Sequence, residues 1–162
     1  MLMDWDARVA AVWTAAGTMS DDAVVQAIDA LVAERQEDDP RALFEAAGAR
    51  DYAGLEAEAE PLYSRALQCG LAEPERAQAV IQLASTLRNL GRAGESAALL
   101  RGELAEHPGH PLADAARAFL ALALHDAGEP SAAVQVSLSA LAPHLPQYGR
   151  AVAAYGDDLV GR

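Results

Sequence analysis

The chain has no lysine: its twelve basic residues, histidine aside, are all arginine. Without an ε-amine there is no Schiff-base nucleophile and no P-loop lysine to reach a nucleotide's phosphates. A single cysteine, Cys69, stands in 162 residues, so an intramolecular disulfide is excluded and a reducing, cytoplasmic setting is expected. Aromatic residues make up only 5%. No apolar run nears the roughly 20 residues that span a bilayer. The opening stretch, with Asp4, Asp6 and Arg8, lacks the basic-then-apolar order of a signal peptide. Nothing reads as an alternating strand bounded by turn glycines.

Positive charge is scarce too. The net charge is −12, and between Ser20 and Glu60 twelve acidic residues face only Arg35, Arg41 and Arg50. Nucleic acids and anionic membrane surfaces both need a cationic footprint, so neither is an expected partner. A basic partner is one reading of the acidic segment, and a solvated acidic face is the other. What the chain does have is 52% hydrophobic residues, with alanine at 39 of 162 positions. That excludes disorder and favours helices, because alanine has the best intrinsic helix propensity. The length suits one domain, residues 1–162, burying roughly 70% of its unfolded surface.

A period organises this composition. Gly17, Gly54, Gly91 and Gly128 are each 37 residues apart. Ala10, Ala47, Ala84 and Ala121 precede them by seven residues, and Ala30, Leu67, Leu104 and Leu141 follow by thirteen. A fixed period between about 20 and 50 residues marks a repeat architecture, here one helix–turn–helix unit used four times. Asp39-Pro40, Glu73-Pro74, His110-Pro111 and Glu129-Pro130 each read as an N-cap followed by proline at the first helical position, and Ser20 with Asp21 and Asp22 as a further helix start. The spacing predicts helix pairs at 4–16 with 20–36, 41–52 with 55–69, 74–90 with 93–106, and 111–127 with 130–142. A terminal helix follows at 147–160. Val80, Leu83, Ala84, Leu87 and Leu90 form one apolar stripe, which Ala98, Leu99 and Leu104 continue. Leu120, Ala121, Leu124, Ala133, Ala140 and Leu141 repeat it.

The order of apolar, small, turn-glycine and closing-proline positions, with Pro108 last, resembles a tetratricopeptide repeat. Leu83-Ala-Ser-Thr-Leu-Arg-Asn-Leu-Gly91, Ala59-Glu-Pro-Leu-Tyr-Ser-Arg-Ala-Leu67 and Ala142-Pro-His-Leu-Pro-Gln-Tyr-Gly-Arg150 resemble the group-5 tetratricopeptide subfamily of bacterial proteins, over about residues 40–155. The resemblance implies an all-α, right-handed α-solenoid of about four units with a C-terminal capping helix. Residues 4–36 would be a degenerate first unit, 40–145 three clearer units and 146–162 the cap. It also implies a protein-interaction role and carries no catalytic residues. Its usual period is 34, so 37 means longer links. Some positions depart from it. Asp22, Gln26 and Asp29 stand where small or apolar residues belong, unless that helix slips to present Ala23, Ala27 and Ala30. Trp13 takes a leucine column, Arg50 breaks the stripe, and Pro61 falls inside a helix, where a bend is expected.

Local chemistry adds little. His107-Pro-Gly-His110 reads as a turn rather than a metal site. Asp157-Asp158 and Glu37-Asp38-Asp39 lack calcium-loop spacing, Cys69 has no local base, and no phosphate-binding glycine motif occurs. No metal or cofactor is expected. In solenoids of the resembled kind the first helix of each pair lines the inner groove. Counting back ten, six and three residues from each glycine gives Ala7, Phe44, Ile81 and Ala118, then Ala11, Gly48, Ser85 and Leu122, then Thr14, Asp51, Arg88 and His125. Phe44, Asp51, Ile81, Ser85, Arg88, Leu122 and His125 are therefore the candidate binding residues. An amphipathic protein segment docked as a helix suits these columns, with the chain's own C-terminal segment as a rival occupant. Arg88 would contact a docked carboxylate or carbonyl, or else pair internally with Asp51 or Asp126. The expected function is a non-catalytic protein-interaction module. The alternatives are a self-assembling homo-oligomer, such as a dimer formed through its end units, and a non-catalytic subunit of an enzyme complex.

Overall fold

Capping side chains and left-handed glycines set several of the helix ends in the computed structural model, which describes residues 4–161. Residues 1–3 and 162, the ends of the expected domain, lie outside the described residues. Nine α-helices occur among the described residues: α1 (Trp5–Ala15), α2 (Asp21–Val32), α3 (Pro40–Tyr52), α4 (Glu56–Gln68), α5 (Glu75–Asn89), α6 (Ala93–Glu106), α7 (Ala113–Asp126), α8 (Pro130–Leu141) and α9 (Gly149–Asp158). Three-residue 3₁₀ turns lie at Ala16–Thr18 and Ala142–His144. None of these helices is long and apolar enough to cross a membrane. Asp39 caps α3 by accepting from the N–H groups of Arg41 (2.9 Å) and Ala42 (3.0 Å), with Pro40 first in the helix. Ser20 caps α2 through Ala23 N–H. Two proline starts differ from expectation: α5 begins after Pro74, and Pro111 belongs to a turn. In that turn His110 Nδ1 accepts from Leu112 N–H at 3.0 Å.

Gly54, Gly91 and Gly128 have φ of +71°, +78° and +81°. Each donates to the carbonyl three residues back, and the following residue donates to the one five back. That is the Schellman closure, which needs a left-handed residue and so favours glycine. Gly70 closes α4 in the same way. Gly17 does not join the series. It lies inside the 3₁₀ turn at Ala16–Thr18 and is absent from the positive-φ glycines, because α1 tightens rather than reverses before Met19 extends toward Ser20.

The chain divides into two compact units, 1–86 and 87–162, with the division inside α5. In the first unit α1 packs on α2, α2 on α3, and α3 on α4. Trp5, Val9, Ile28, Leu31, Ala42 and Ala49 form a core cluster flanked by Val12, Trp13, Val25 and Val32, and Trp5 Nε1–H donates to the Leu31 carbonyl at 2.9 Å. The slip to Ala23, Ala27 and Ala30 does not occur: α2 buries Val24, Ile28 and Leu31, and Ala30 is exposed. Large aliphatic side chains win because they remove more apolar area from water. The two polar breaks meet each other, since Arg50 grips Asp29 with both nitrogens at 2.5 and 3.0 Å. α4 runs unbroken through Pro61.

In the second unit α6 packs on α7, α7 on α8, and α8 on α9. Leu100, Leu120 and Leu124 are buried among Ala97, Ala116, Ala121, Ala123 and Ala133. α6 is turned by one residue from expectation, burying Ala97 and Leu100 while Ala98 is exposed and Leu99 half-buried. Leu90 and Leu141, at stripe ends, are exposed. α9 lies on α8: a Cβ added to Gly156 would sit 3.4 Å from Leu138 Cβ, and Gln135 Nε2 donates to Asp157 at 2.9 Å. The link before α9 is tight. Tyr148 adopts φ +67°, and a Cβ on Gly149 would fall 2.4 Å from the Ala142 carbonyl oxygen.

Candidate functional site

α3 carries Arg41, Phe44, Glu45, Gly48, Asp51 and Tyr52 at spacings of three and four, which places them on one face. Together with Trp13 of α1 and Glu75, Gln78 and Gln82 of α5, they line a cavity of about 470 Å³ in the first unit. That is within the size range of small-ligand sites. Gly48 leaves the middle of the stripe empty: a methyl there would lie 3.5 Å from the Trp13 ring and 3.8 Å from the Tyr63 hydroxyl. Trp13 meets Tyr52 edge to face, with centroids 6.0 Å apart, and Phe44 tilts against Tyr63 at 6.2 Å.

The electrostatics differ along the cavity. Glu45 is only 4% exposed, yet it accepts from Trp13 Nε1–H at 2.6 Å and pairs with Arg41 at 2.6 Å. Burial pushes its carboxyl up, opposed by the hydrogen bond from Trp13 and the charge of Arg41. Arg41 also lies 3.6 Å from Glu75 and 3.7 Å from Asp6. Asp51, ten residues further along α3, lies about 15 Å from Arg41 at 1.5 Å per residue. Its partners are the hydroxyls of Thr86 and Tyr63, each at 3.4 Å, and no arginine pairs with it among the described residues. Burial pushes the Asp51 carboxyl up, and the hydroxyls only partly offset this. Burial, then Asp51, push the Tyr63 hydroxyl well above its ordinary value. The side-chain oxygen of Gln82 is buried without a hydrogen-bond partner.

Three carboxylates therefore face one guanidinium, and the lining contains no serine, cysteine or histidine. Among the described residues no three His, Cys, Asp or Glu are placed to hold a metal.

Of the residues expected from the sequence, Phe44 and Asp51 line this cavity. Ile81 is buried and Ser85 half-buried, outside its lining. In the second unit Leu122 and His125 line an apolar groove of about 500 Å³ with Ala118, Ala121, Val134 and Leu138. Arg88 donates to Asp126 at 2.8 Å, the internal pairing. Sequence reasoning missed Trp13, Arg41, Glu45, Tyr52, Glu75, Gln78 and Gln82. A signal for Glu45 was there: a carboxylate set inside Ala-Leu-Phe-Glu-Ala-Ala, where a helix face has no reason for charge unless it lines something.

No protein of curated function matches this chain in sequence. A crystal structure of nearly identical TPR-like repeats from Podosopora anserina, a chain named for kinesin light chain, superposes with a TM-score of 0.75 at 18% identity. The match covers 96% of this chain and 86% of that one. At that identity the likeness speaks for the fold, all-α TPR-like repeats, and bears out the fold class expected from the 37-residue period. The sequence profile described as Tetratrico peptide repeat, TPR_5, matches residues 40–159. Repeats of that kind are scaffolds and generally non-catalytic. The chain belongs to the TPR_5 tetratricopeptide repeat family.

Proposed function

We propose that the protein is a non-catalytic interaction module of the cytoplasm that holds a segment of another protein against its first unit. Membership of a repeat family whose modules typically mediate protein interactions supports the reading. The observation that carries it is the cavity built from α1, α3 and α5, the first helices of three successive pairs. A groove faced by first helices gives a docked segment rigid walls, and aromatic rings beside polar groups suit an amphipathic segment. The second unit favours a further reading, self-association. Leu122 and Val134, exposed by 48% and 47%, line its apolar groove, and sedimentation showing only monomer at high concentration would end that reading.

The segment reading is tested with a peptide array probed by the wild-type protein and by Gly48→Met, whose side chain would fill the cavity. Peptides that bind the wild type and are lost in the variant, at unchanged helicity, support the site. No bound peptide, or equal binding by both proteins, refutes it.

A further inference from the structure

We propose that the first-unit cavity takes a basic side chain, an arginine guanidinium or a lysine ammonium of the bound segment, seated between Asp51, the Gln82 amide oxygen, Trp13 and Tyr52. The inference rests on the segment-binding reading and names the chemistry of its partner.

Two groups at this end of the cavity want the same thing. Asp51 is a half-buried carboxylate whose neighbours are hydroxyls, and the Gln82 oxygen is a buried acceptor with nothing donating to it. Both side chains line the same cavity, where Thr86 Oγ1 sits 3.4 Å from the Asp51 carboxylate and donates back to the Gln82 backbone carbonyl at 2.9 Å. A buried acceptor without a donor costs the desolvation it has already suffered. A buried carboxylate without a cation costs more. One N–H-rich cation relieves both.

The cavity's own arginine cannot do so. Arg41 is committed at the other end to Glu45 and Glu75, about 15 Å along α3. An anionic segment would meet three carboxylates, and a purely apolar one would leave both oxygens unsatisfied. The aromatic walls fit the same guest, since cations are drawn to the faces of tryptophan and tyrosine rings. Gly48 provides the room. A guanidinium adds a planar fork of donors suited to a carboxylate and an amide oxygen together.

Trp5 and Trp13 are the only tryptophans, which gives the test an internal control. The full-length protein, labelled with ¹⁵N at the indoles, is titrated with N-acetyl-arginine amide. N-acetyl-citrulline amide, its neutral isostere, and N-acetyl-glutamate amide serve as comparisons. The Trp13 signal is expected to shift saturably with the arginine compound alone. The Trp5 signal, its N–H held by Leu31, is expected to stay in place. Asp51→Asn should weaken arginine binding by about tenfold or more, as loss of a charge-assisted contact implies, without lowering the urea midpoint. Gln82→Met, which keeps length but removes the oxygen, should weaken it several-fold and decides the matter if Asp51→Asn does not fold. A Trp13 signal deaf to arginine, an equal response to citrulline, or unweakened binding by the foldable variants would overturn the proposal. If neutral peptides bind and move Trp13 while the arginine compound does not, the basic side chain is refuted and segment binding stands. If no peptide of any charge binds, both fall.

Discussion

Replacing each 37-residue glycine by alanine should split the series by sign. At Gly54, Gly91 and Gly128 nothing lies within 4 Å of an added Cβ, so the methyl meets no neighbour and the whole effect is backbone strain at positive φ. The left-handed region costs an L-residue about 1–2 kcal/mol, so each of these variants should lose about that much. At Gly17 an added Cβ also meets nothing within 4 Å, but the residue lies in a 3₁₀ turn. There alanine restricts the unfolded chain without straining the folded one, a gain of about 0.4–1 kcal/mol. For a chain of this size 1 kcal/mol moves the melting temperature by about 2–4 °C. Urea titrations followed by circular dichroism would read the same differences as midpoint shifts at constant slope. A destabilised Gly17→Ala would mean that its turn is equivalent to the others after all. A neutral Gly91→Ala would mean that the left-handed closure is absent from the protein in solution.

Leu120→Ala, at a buried position, should cost about 2–5 kcal/mol, whereas Leu122→Ala two residues on should stay within about 0.5 kcal/mol. Chemical denaturation giving equal values would misplace the core face of α7. Gly149→Ala should cost about 1–3 kcal/mol as an overpacked site, because its methyl would strike the Ala142 carbonyl, and an unchanged melting temperature would refute that geometry. For pH, burial raises the folded-state pKa of Asp51 and Glu45, so the folded protein holds those protons more tightly than the unfolded chain. Their stabilisation is full below the ordinary carboxylate value of about 4 and is lost as pH rises through the raised values. The urea midpoint of the wild type should therefore gain on that of Asp51→Asn as pH is lowered from 7 toward 4. A wild-type midpoint that does not rise relative to that of Asp51→Asn over this range would refute the half-buried carboxylate.

The repeat was legible because glycine, proline and capping residues punctuate it at fixed intervals, and each acts through its own backbone. Helix rotation was less legible. Ala97 and Ala98 are identical neighbours, so the alanine-rich α6 shows little contrast between faces, and the stripe was read one residue off. The cavity was half visible. It meets α3 two to thirteen residues before Gly54, and α5 nine to sixteen residues before Gly91. Counting the same offsets on both helices therefore finds Phe44, Gly48 and Asp51 but passes over Gln78 and Gln82. Periodicity gives the angle of a side chain about its helix. The stagger between neighbouring helices comes from packing, which no single helix encodes.

Gly48 has an implication for how this chain is maintained under selection. A mid-helix glycine forgoes about 1 kcal/mol relative to alanine, and the nearest atoms to an added methyl are at ordinary contact distance. Alanine, used at 39 other positions, is thus sterically admissible at this one and would make a sturdier protein. Lineages drifting without need of the empty volume would acquire it readily, since most proteins sit just above the stability they require and accept such gains. Relatives that keep glycine at this place on α3 are expected to keep an acidic residue three positions later, and those that lose one should be free to lose the other.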